Sequence, residues 1–491
     1  MIRIRKKDEA HLVIDSEDSG ILMEISEAFT FYAEGYKFTP AYKNKWWDGK
    51  IRLYDTRTHQ IPFGLLNQVV EFARSRNYKI DMEEKIKPIL PATEDELDTF
   101  VKESRCHLTP RDYQTEAFKW AMQNQRGILV SPTGSGKSFI IYLMMRYFLK
   151  HDLDKKVLII VPTTSLVEQM YKDFADYSND DQEFDVEEDI HRIYSGKEKF
   201  DIEASVVITT WQSAINMPLD WFNCYGMVVG DEAHTFKAKS LTKIMNRLTR
   251  AYVRIGTTGT LDGAKVNELT LEGNFGSIYK VTTTKSLIDN DTLADLNIEC
   301  LVLKYSDEIR KALSNLKYQD EIDFIVTNEK RNNFIINLAL DQTGNTLVLY
   351  NYVVKHGKPL YDAMVKKAKD RKVFYVSGSV GADERERIRE LTENEKDAII
   401  VASVGTFSTG INIKNLHNIV FAAPTKSQIR VLQSIGRGLR KPENGQATTV
   451  YDLADDISWR KKKNYTLNHA INRIKIYSKE RFKYKIHEIQ L

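Results

Sequence analysis

The chain has 491 residues, 42% of them apolar and 28% charged, with a formal net charge of +3. That length holds about three domains at roughly 150 residues each, and the composition suits a soluble globular protein with substantial cores. No apolar run approaches the roughly 18 residues of a membrane helix. Acidic Asp8 and Glu9 follow the basic start where a signal peptide would be apolar, and Cys106, Cys224 and Cys300 stand too far apart for a zinc or disulfide framework.

Along the chain, the first ninety or so residues are rich in aromatics: Phe29, Phe31, Tyr32, Tyr36, Phe38, Tyr42, Trp46 and Trp47. Lys37, Lys43, Lys45, Lys50, Arg52 and Arg57 are interleaved with them. Such rings can form the core of a small domain, and among cations they can also stack on bases. Glu94 to Glu103 is charged and periodic, the pattern of a connecting helix. From Gly127 onward, short β-rich runs alternate with helical segments. Ile128–Val130, Val157–Val161, Val206–Thr209 and Met227–Val229 form one series; Leu301–Leu303, Thr346–Leu349, Val373–Val376, Ala398–Val401 and Ile419–Phe421 form a second. Continuous apolar strands of this kind predict parallel sheets covered on both faces. The series part near residues 280 to 295. The expected division is therefore a small α+β accessory DNA-binding domain over 1–95, an ATP-binding α/β domain over 96–285 and a second α/β domain over 286–491. The last ends in a basic helical tail with ten cations from Arg460 onward, Lys461, Lys462 and Lys463 among them, against Glu480 and Glu488. Such a cluster attracts a phosphate backbone, although a solvated helix face has the same composition. The acidic stretch Asp180 to Asp189 reads as a solvent-facing loop.

Ser131-Pro132-Thr133-Gly134-Ser135-Gly136-Lys137-Ser138 follows an expected strand and opens an expected helix, the setting that a phosphate-binding loop requires. Gly134 and Gly136 let backbone N–H groups of Thr133 to Ser138 turn toward phosphate, and the helix N-terminus adds its dipole. Lys137 is expected to neutralise the β- and γ-phosphates of ATP, and the Ser138 hydroxyl to ligate Mg²⁺. Ser131 stands at the first glycine position of the general pattern.

Asp231-Glu232-Ala233-His234 comes directly after the apolar run Met227–Val229. Carboxylates at the end of a parallel strand lie where open α/β sheets bind ligands. Asp231 is expected to hold Mg²⁺ and Glu232 to orient and deprotonate the attacking water, with His234 completing the catalytic tetrapeptide. The two motifs together predict nucleotide hydrolysis.

Over residues 105 to 455, further segments fall in the order of the superfamily 2 helicases, which the chain resembles. That resemblance implies two tandem RecA-like α/β domains. It implies that Arg111 and Gln114, in Pro110-Arg111-Asp112-Tyr113-Gln114, read the adenine. Pro162, Thr163 and Thr164, and Thr210, Trp211 and Gln212, are similar to strand-tracking motifs Ia and Ib, which contact DNA. Thr258-Gly259-Thr260 resembles motif III. Ser403 to Asn412 resembles motif V, with Ser403 and Thr409 on the strand and Gly410 at the nucleotide. Gln433-Ser434-Ile435-Gly436-Arg437-Gly438-Leu439-Arg440 resembles motif VI, with Gln433, Arg437 and Arg440 at the nucleotide. Arg437 and Arg440 lie three apart, on one helical face, and guanidinium charge there stabilises the transition state of phosphoryl transfer.

The leading segments Phe31 to Pro40, Trp47 to Leu53 and Ile61 to Leu65, with Tyr375-Val376-Ser377-Gly378, Arg385 and Gly405 to Asn415, resemble the UvsW-type recombination helicases of phage over the whole chain. The tetrapeptide departs at its third residue, Ala233, without touching Asp231 or Glu232. This resemblance implies an ATP-dependent DNA motor that migrates Holliday junctions, regresses forks and unwinds R-loops. It implies single-stranded and branched DNA as partner, phage recombination or single-strand-binding proteins as further partners, and a monomer in the host cytoplasm with no membrane. An RNA helicase, a restriction-type translocase subunit and a passive DNA-binding protein are the competing readings.

Overall fold

The computed structural model describes the 491 residues except 34, 88, 90–91, 105, 107, 180, 182, 195–199, 201–202, 238, 262–264, 291, 293–295, 378–393, 406–415, 425–446 and 461. The chain divides into two compact units, Met1–Ser131 with Gly136–Val281, and Pro132–Ser135 with Thr282–Leu491. Among the described residues no helix is long and apolar enough to cross a membrane.

The first unit opens with strands β1 (Ile2–Lys6), β2 (His11–Asp15), β3 (Thr30–Tyr32), β4 (Lys50–Arg52), β5 (Gln60–Pro62) and β6 (Ile80–Met82). Four of them make a sheet in the order β5-β2-β1-β6, while β3 and β4 pair as a separate antiparallel ribbon. Alternation in β1 and β2 turns Ile2, Ile4, Leu12 and Ile14 into a common core with Phe29, Phe63 and Val69. The expected connecting helix runs over Glu94–Glu103, and Thr93 and Glu96 close a capping box at its start.

Seven parallel strands follow: β7 (Arg126–Val130), β8 (Lys156–Val161), β9 (Ile190–Ile193), β10 (Val206–Thr210), β11 (Tyr225–Gly230), β12 (Val253–Thr258) and β13 (Ile278–Lys280). Their order is β13-β7-β12-β11-β8-β10-β9. The apolar run in β8 shows why its sequence does not alternate. Val157, Ile159 and Val161 enter the core on one face, and Leu158 and Ile160 enter the core on the other.

The leading sheet is fastened to this seven-stranded sheet through buried contacts. Arg254 in β12 is 1% exposed. Its guanidinium donates to the carbonyls of Glu9 (2.9 Å), Met245 (2.7 Å), Leu248 (3.3 Å) and Asn274 (3.2 Å). Burial, and then the like charge of Arg126, pull its pKa down to about 9, which leaves it charged at neutral pH. Glu9 also takes Arg126 through its carboxylate at 2.6 Å, and its N–H donates to the Thr249 carbonyl at 3.0 Å. Leu269, on the helix Lys265–Phe275, packs into the core of the leading sheet. A Cβ on Gly64 would lie 1.9 Å from the Glu272 carbonyl oxygen, so the two backbones meet with no room for a side chain.

The second unit contains a parallel sheet of β14 (Leu296–Lys304), β15 (Thr346–Tyr350), β16 (Val373–Val376), β17 (Ile399–Ser403), β18 (Asn418–Phe421), β19 (Thr448–Asp456) and β20 (Lys483–Gln490), ordered β16-β17-β15-β18-β19-β14-β20. The architecture is thus the expected pair of RecA-like sheets with a small leading α+β domain. The basic tail forms the helix Tyr465–Lys479 and then β20, an edge strand beside β14 that its lysines did not announce. Arg473 leaves the solvent-facing tally. It is buried, paired to Asp452 at 2.7 Å, and Tyr477 donates to the same carboxylate at 2.8 Å. The acidic stretch is also less open than expected: Asp181 pairs with Arg146, and Asp185 caps the short helix Val186–Asp189.

Two outcomes follow for stability. Arg254→Leu takes a donor from four carbonyls in a dry site, of which those of Met245 and Leu248 keep a backbone N–H, and should cost roughly 3–5 kcal/mol in urea unfolding. Arg254→Lys should recover little, because one ammonium cannot serve four separated acceptors. His356 is buried with neither ring nitrogen hydrogen-bonded, and burial, then the Arg331 charge, lower its pKa to about 3. The unfolded chain therefore binds a proton below about pH 6.5 that the folded chain refuses. Stability should fall by about 1.4 kcal/mol per pH unit from there toward pH 3. His356→Leu should flatten that part of a pH series of unfolding free energies.

Candidate nucleotide site

Because the strands of the first seven-stranded sheet run in one direction, their carboxyl ends share one edge, the place where α/β sheets bind ligands. β7 leaves that edge into the loop 131–136, and Gly136 caps the helix Lys137–His151. Gly134 and Gly136 have φ of +84° and +77°, a left-handed backbone that other residues adopt only with strain. Ser131 N–H bonds the Thr258 carbonyl at 2.9 Å, tying the loop to the end of β12. Lys137 donates its ammonium to the Ser131 carbonyl at 3.1 Å, and Ser135 Oγ donates to the Pro132 carbonyl at 2.7 Å.

Gln114 lies against this loop. Its side chain is buried and would sit 2.3 Å from a Cβ placed on Gly136. Its Oε1 accepts from Arg111 N–H at 2.9 Å, which fixes the amide's orientation at the start of the helix Asp112–Asn124. The Arg111 side chain turns outward to the Tyr113 hydroxyl, 3.2 Å away.

β11 ends at Gly230 and delivers Asp231 and Glu232 to the same edge. Asp231 is buried, and its Oδ1 accepts from Thr257 Oγ1 at 2.6 Å. Burial pushes its carboxyl up from the ordinary value and the Glu232 charge adds to that, while Lys137 and the Thr257 hydrogen bond pull it back. Glu232 holds φ +52°, an uncommon conformation for a residue with a Cβ. His234 Nδ1 lies 3.3 Å from Glu232 Oε2 and 3.1 Å from Thr258 Oγ1. Thr258 gives its single hydroxyl proton to the Thr260 carbonyl at 3.0 Å. Nδ1 is therefore the donor to that hydroxyl, with the Glu232 carboxylate close beside it.

The structure thus brings together Gln114, Gly136, Lys137, Ser138, Asp231, Glu232 and His234. It adds two residues that motif reading passed over. One is Thr257, whose hydroxyl holds Asp231. The other is Tyr177, whose hydroxyl is 2.9 Å from Ser138 Oγ and whose ring packs edge-on against Phe139 and Tyr142. Burial raises the Tyr177 pKa, so this phenol stays neutral.

Of the expected strand contacts, Pro162, Thr163 and Thr164 follow β8, and Thr210, Trp211 and Gln212 follow or end β10, its neighbour in the sheet. Thr163 caps the helix Thr164–Tyr177 through Leu166 N–H at 3.4 Å, and Thr210 donates to Ser213 Oγ at 3.2 Å. Both hydroxyls are therefore engaged locally. Ser403 ends β17 in the second unit. Lys462 and Lys463 are exposed, with Lys462 bonded to the Ser314 carbonyl at 3.1 Å. Thr409, Gly410, Gln433, Arg437, Arg440 and Lys461 lie outside the described residues.

Comparison with known proteins agrees with this arrangement. Three family models match successive segments: DNA helicase UvsW, N-terminal, over residues 1–83; type III restriction enzyme, res subunit, over 107–263; and helicase conserved C-terminal domain over 330–442. The chain is 37% identical to the ATP-dependent DNA helicase uvsW of Enterobacteria phage T4, and the match covers 100% of both. The crystal structure of T4 UvsW matches 100% of this chain and 99% of its own at 36% identity, with a TM-score of 0.53. A second crystal structure, of the UvsW helicase from bacteriophage T4, matches 57% of this chain and 99% of its own at 34% identity, with a TM-score of 0.52.

Two substitutions test the site. Glu232→Gln should leave nucleotide binding within a few-fold while lowering kcat by about 10²–10⁴. Tyr177→Phe keeps the ring packing and removes one hydrogen bond to Ser138, so the Mg²⁺ concentration for half-maximal hydrolysis should change by about 2–10-fold with kcat nearly kept. Steady-state ATPase assays over a Mg²⁺ series check both.

Proposed function

We propose, on the premise that the chain belongs to the UvsW family, that it is an ATP-dependent DNA helicase that remodels branched DNA. The observation that carries the catalytic half is the meeting of the phosphate-binding loop, Gln114 and the Asp231–Glu232–His234–Thr258 network at one edge of a parallel sheet. The whole-length match to a DNA helicase supports DNA as the polymer. It also disfavours the RNA-helicase and restriction-translocase readings.

In this proposal Gln114 and Arg111 recognise the base, and the loop from Thr133 to Ser138 cradles the phosphates with Lys137 on the β- and γ-oxygens. Ser138 and Asp231 would hold Mg²⁺, which supplies charge neutralisation at the phosphates. One hydroxyl and one carboxylate fit an ion that keeps most of its water. Glu232 orients and deprotonates the attacking water, and the imidazole of His234 fixes that carboxylate while reporting its state to Thr258. From their motifs alone, Gly410, Gln433, Arg437 and Arg440 are assigned to the nucleotide, with the two guanidiniums on the developing phosphate charge. Pro162, Thr163, Thr164, Thr210, Trp211, Gln212, Ser403, Thr409 and Lys461 to Lys463 are assigned to the DNA backbone, which gives movement without sequence preference.

The chain would divide into three parts, 1–95, 96–285 and 286–491. Its reactions would be branch migration, fork regression and R-loop unwinding, carried out as a monomer in the host cytoplasm beside recombination or single-strand-binding proteins.

The deciding experiment is strand separation on forks, four-way junctions, R-loops and plain duplexes with either overhang. ATP-dependent turnover of the branched substrates at least tenfold faster than of plain duplex is expected. Lys137→Ala should abolish both hydrolysis and unwinding. Equal turnover of RNA duplexes, or no preference for branches, would sink the assignment.

A further inference from the structure

The β3–β4 ribbon carries an insert, residues 33–49, that the motor chemistry does not use. Its frame is rigid by its own contacts. β3 and β4 pair in register through Thr30 with Arg52, Phe31 with Ile51 and Tyr32 with Lys50. The Ala33 N–H then bonds the Gly49 carbonyl at 2.8 Å. Tyr32 stacks on Tyr36 with centroids 4.7 Å apart, and Tyr36 meets Tyr42 edge-on at 4.8 Å. Gly49 has φ +80°, and a Cβ there would lie 2.2 Å from the Tyr36 ring, so the stack closes directly onto the backbone. Thr39 caps the helix Pro40–Lys43, and the Trp46 and Trp47 N–H groups both return to the Ala41 carbonyl, at 2.9 and 3.2 Å. Trp47 Nε1 donates to the Lys50 carbonyl at 2.9 Å.

Despite that order, the insert presents two large rings to solvent: Phe38 is 81% exposed and Trp46 82%. Phe29, at the foot of the same ribbon, is 4% exposed, so the fold has an apolar core and does not use it for these two. Two large exposed rings within one short insert, set among cations, suit an interaction role. The charge around them identifies the partner. Between residues 33 and 52 stand Lys37, Lys43, Lys45, Lys50 and Arg52 against Glu34 and Asp48. Asp48 is neutralised by Arg52, which with the Lys50 backbone N–H holds its carboxyl at about 2. Lys37, Lys43 and Lys45 are exposed. Aromatic faces beside cations, on a rigid scaffold, suit bases whose faces are open, with phosphates alongside. In a plain duplex every internal base face is covered; at a branch point the terminal pairs lose that cover whenever the arms unstack.

We infer that Phe38 and Trp46 are base-stacking residues that engage open base faces at a DNA branch, with Lys37, Lys43 and Lys45 on the adjoining phosphates, so that this insert selects branched DNA over plain duplex. The inference rests on the DNA-remodelling reading above and adds to it the residues that choose the substrate. The docking of the leading sheet on the first motor sheet then places these rings in the same unit as the phosphate-binding lysine.

The test uses the full chain without ATP and a four-way junction carrying 2-aminopurine either at the branch or within an arm. Wild type should change the fluorescence of the branch probe and leave the arm probe unaltered. Phe38→Ala/Trp46→Ala should lose that signal and weaken junction binding about tenfold or more, while binding to blunt duplex moves less than about twofold. Phe38→Tyr/Trp46→Phe, which keeps two flat rings, should retain both signal and preference, and thermal unfolding of each variant checks its fold. Unchanged junction preference and branch signal in the alanine variant would overturn the inference. So would loss of binding to a purified single-strand-binding protein with the junction signals intact, which would assign the rings to a protein partner. A wild-type chain that binds junctions in this way yet unwinds nothing with ATP would defeat the functional reading and leave the stacking assignment standing.

Discussion

Strand β12 joins two things that the rest of the first unit depends on. Near its start, the buried guanidinium of Arg254 gathers four carbonyls, one of them from Glu9 in the leading sheet. Three and four residues later, Thr257 holds the Asp231 carboxylate and Thr258 bonds His234. A strand advances about 3.3 Å per residue, so the docking point and the nucleotide site are separated by roughly 10–13 Å of a central, fully buried strand. The desolvated charge of Arg254 is costly unless every acceptor stays in place. That cost makes the leading sheet part of the motor's first half. Gly64 against Glu272, and Leu269 within the leading core, make the same contact by shape that Arg254 makes by charge.

This arrangement bears on how such a chain would convert hydrolysis into DNA movement. A DNA-holding element on a loose tether would lose the direction of each cycle, whereas one seated on the nucleotide-binding sheet moves with it. The local chemistry is built in the same spirit. Asp231 is buried and raised in pKa, Glu232 sits in a left-handed backbone, and the His234 imidazole stands between Glu232 and Thr258. In the function proposed above, each is a state that nucleotide and cation would alter on binding, a route by which a strand end would sense a phosphate.

Legibility from sequence followed the physics of each segment. β8 was readable because both faces are covered and its apolar run is unbroken, and the helix Glu94–Glu103 because Thr93 and Glu96 cap it in the usual spacing. The phosphate-binding loop and the acidic tetrapeptide were readable because their geometry demands particular residues at particular steps. β12 escaped as a strand, since Arg254 interrupts its apolar run and Gly256, Thr257 and Thr258 follow; the residue that hides the strand is the one that docks the leading domain. Thr257 could have been found from its place beside the motif at Thr258. Tyr177 could not, because only the fold brings a helix end to Ser138. The basic tail misled at Arg473, where composition counted a solvated cation and the fold pairs it with Asp452. The aromatic leading segment was ambiguous because its rings divide between two environments: Phe29 is core, while Phe38 and Trp46 are exposed.

The central claim, that the leading sheet and the nucleotide-binding sheet form one mechanical body, is tested most directly by native-state hydrogen exchange of the full chain over a urea series. Amides of β1 and of β12 should converge on one opening free energy and one urea dependence, because neither sheet can open without breaking the Arg254 contacts. Exchange of β1 and β2 through a separate, lower-energy opening, with β12 still fully protected, would contradict the account.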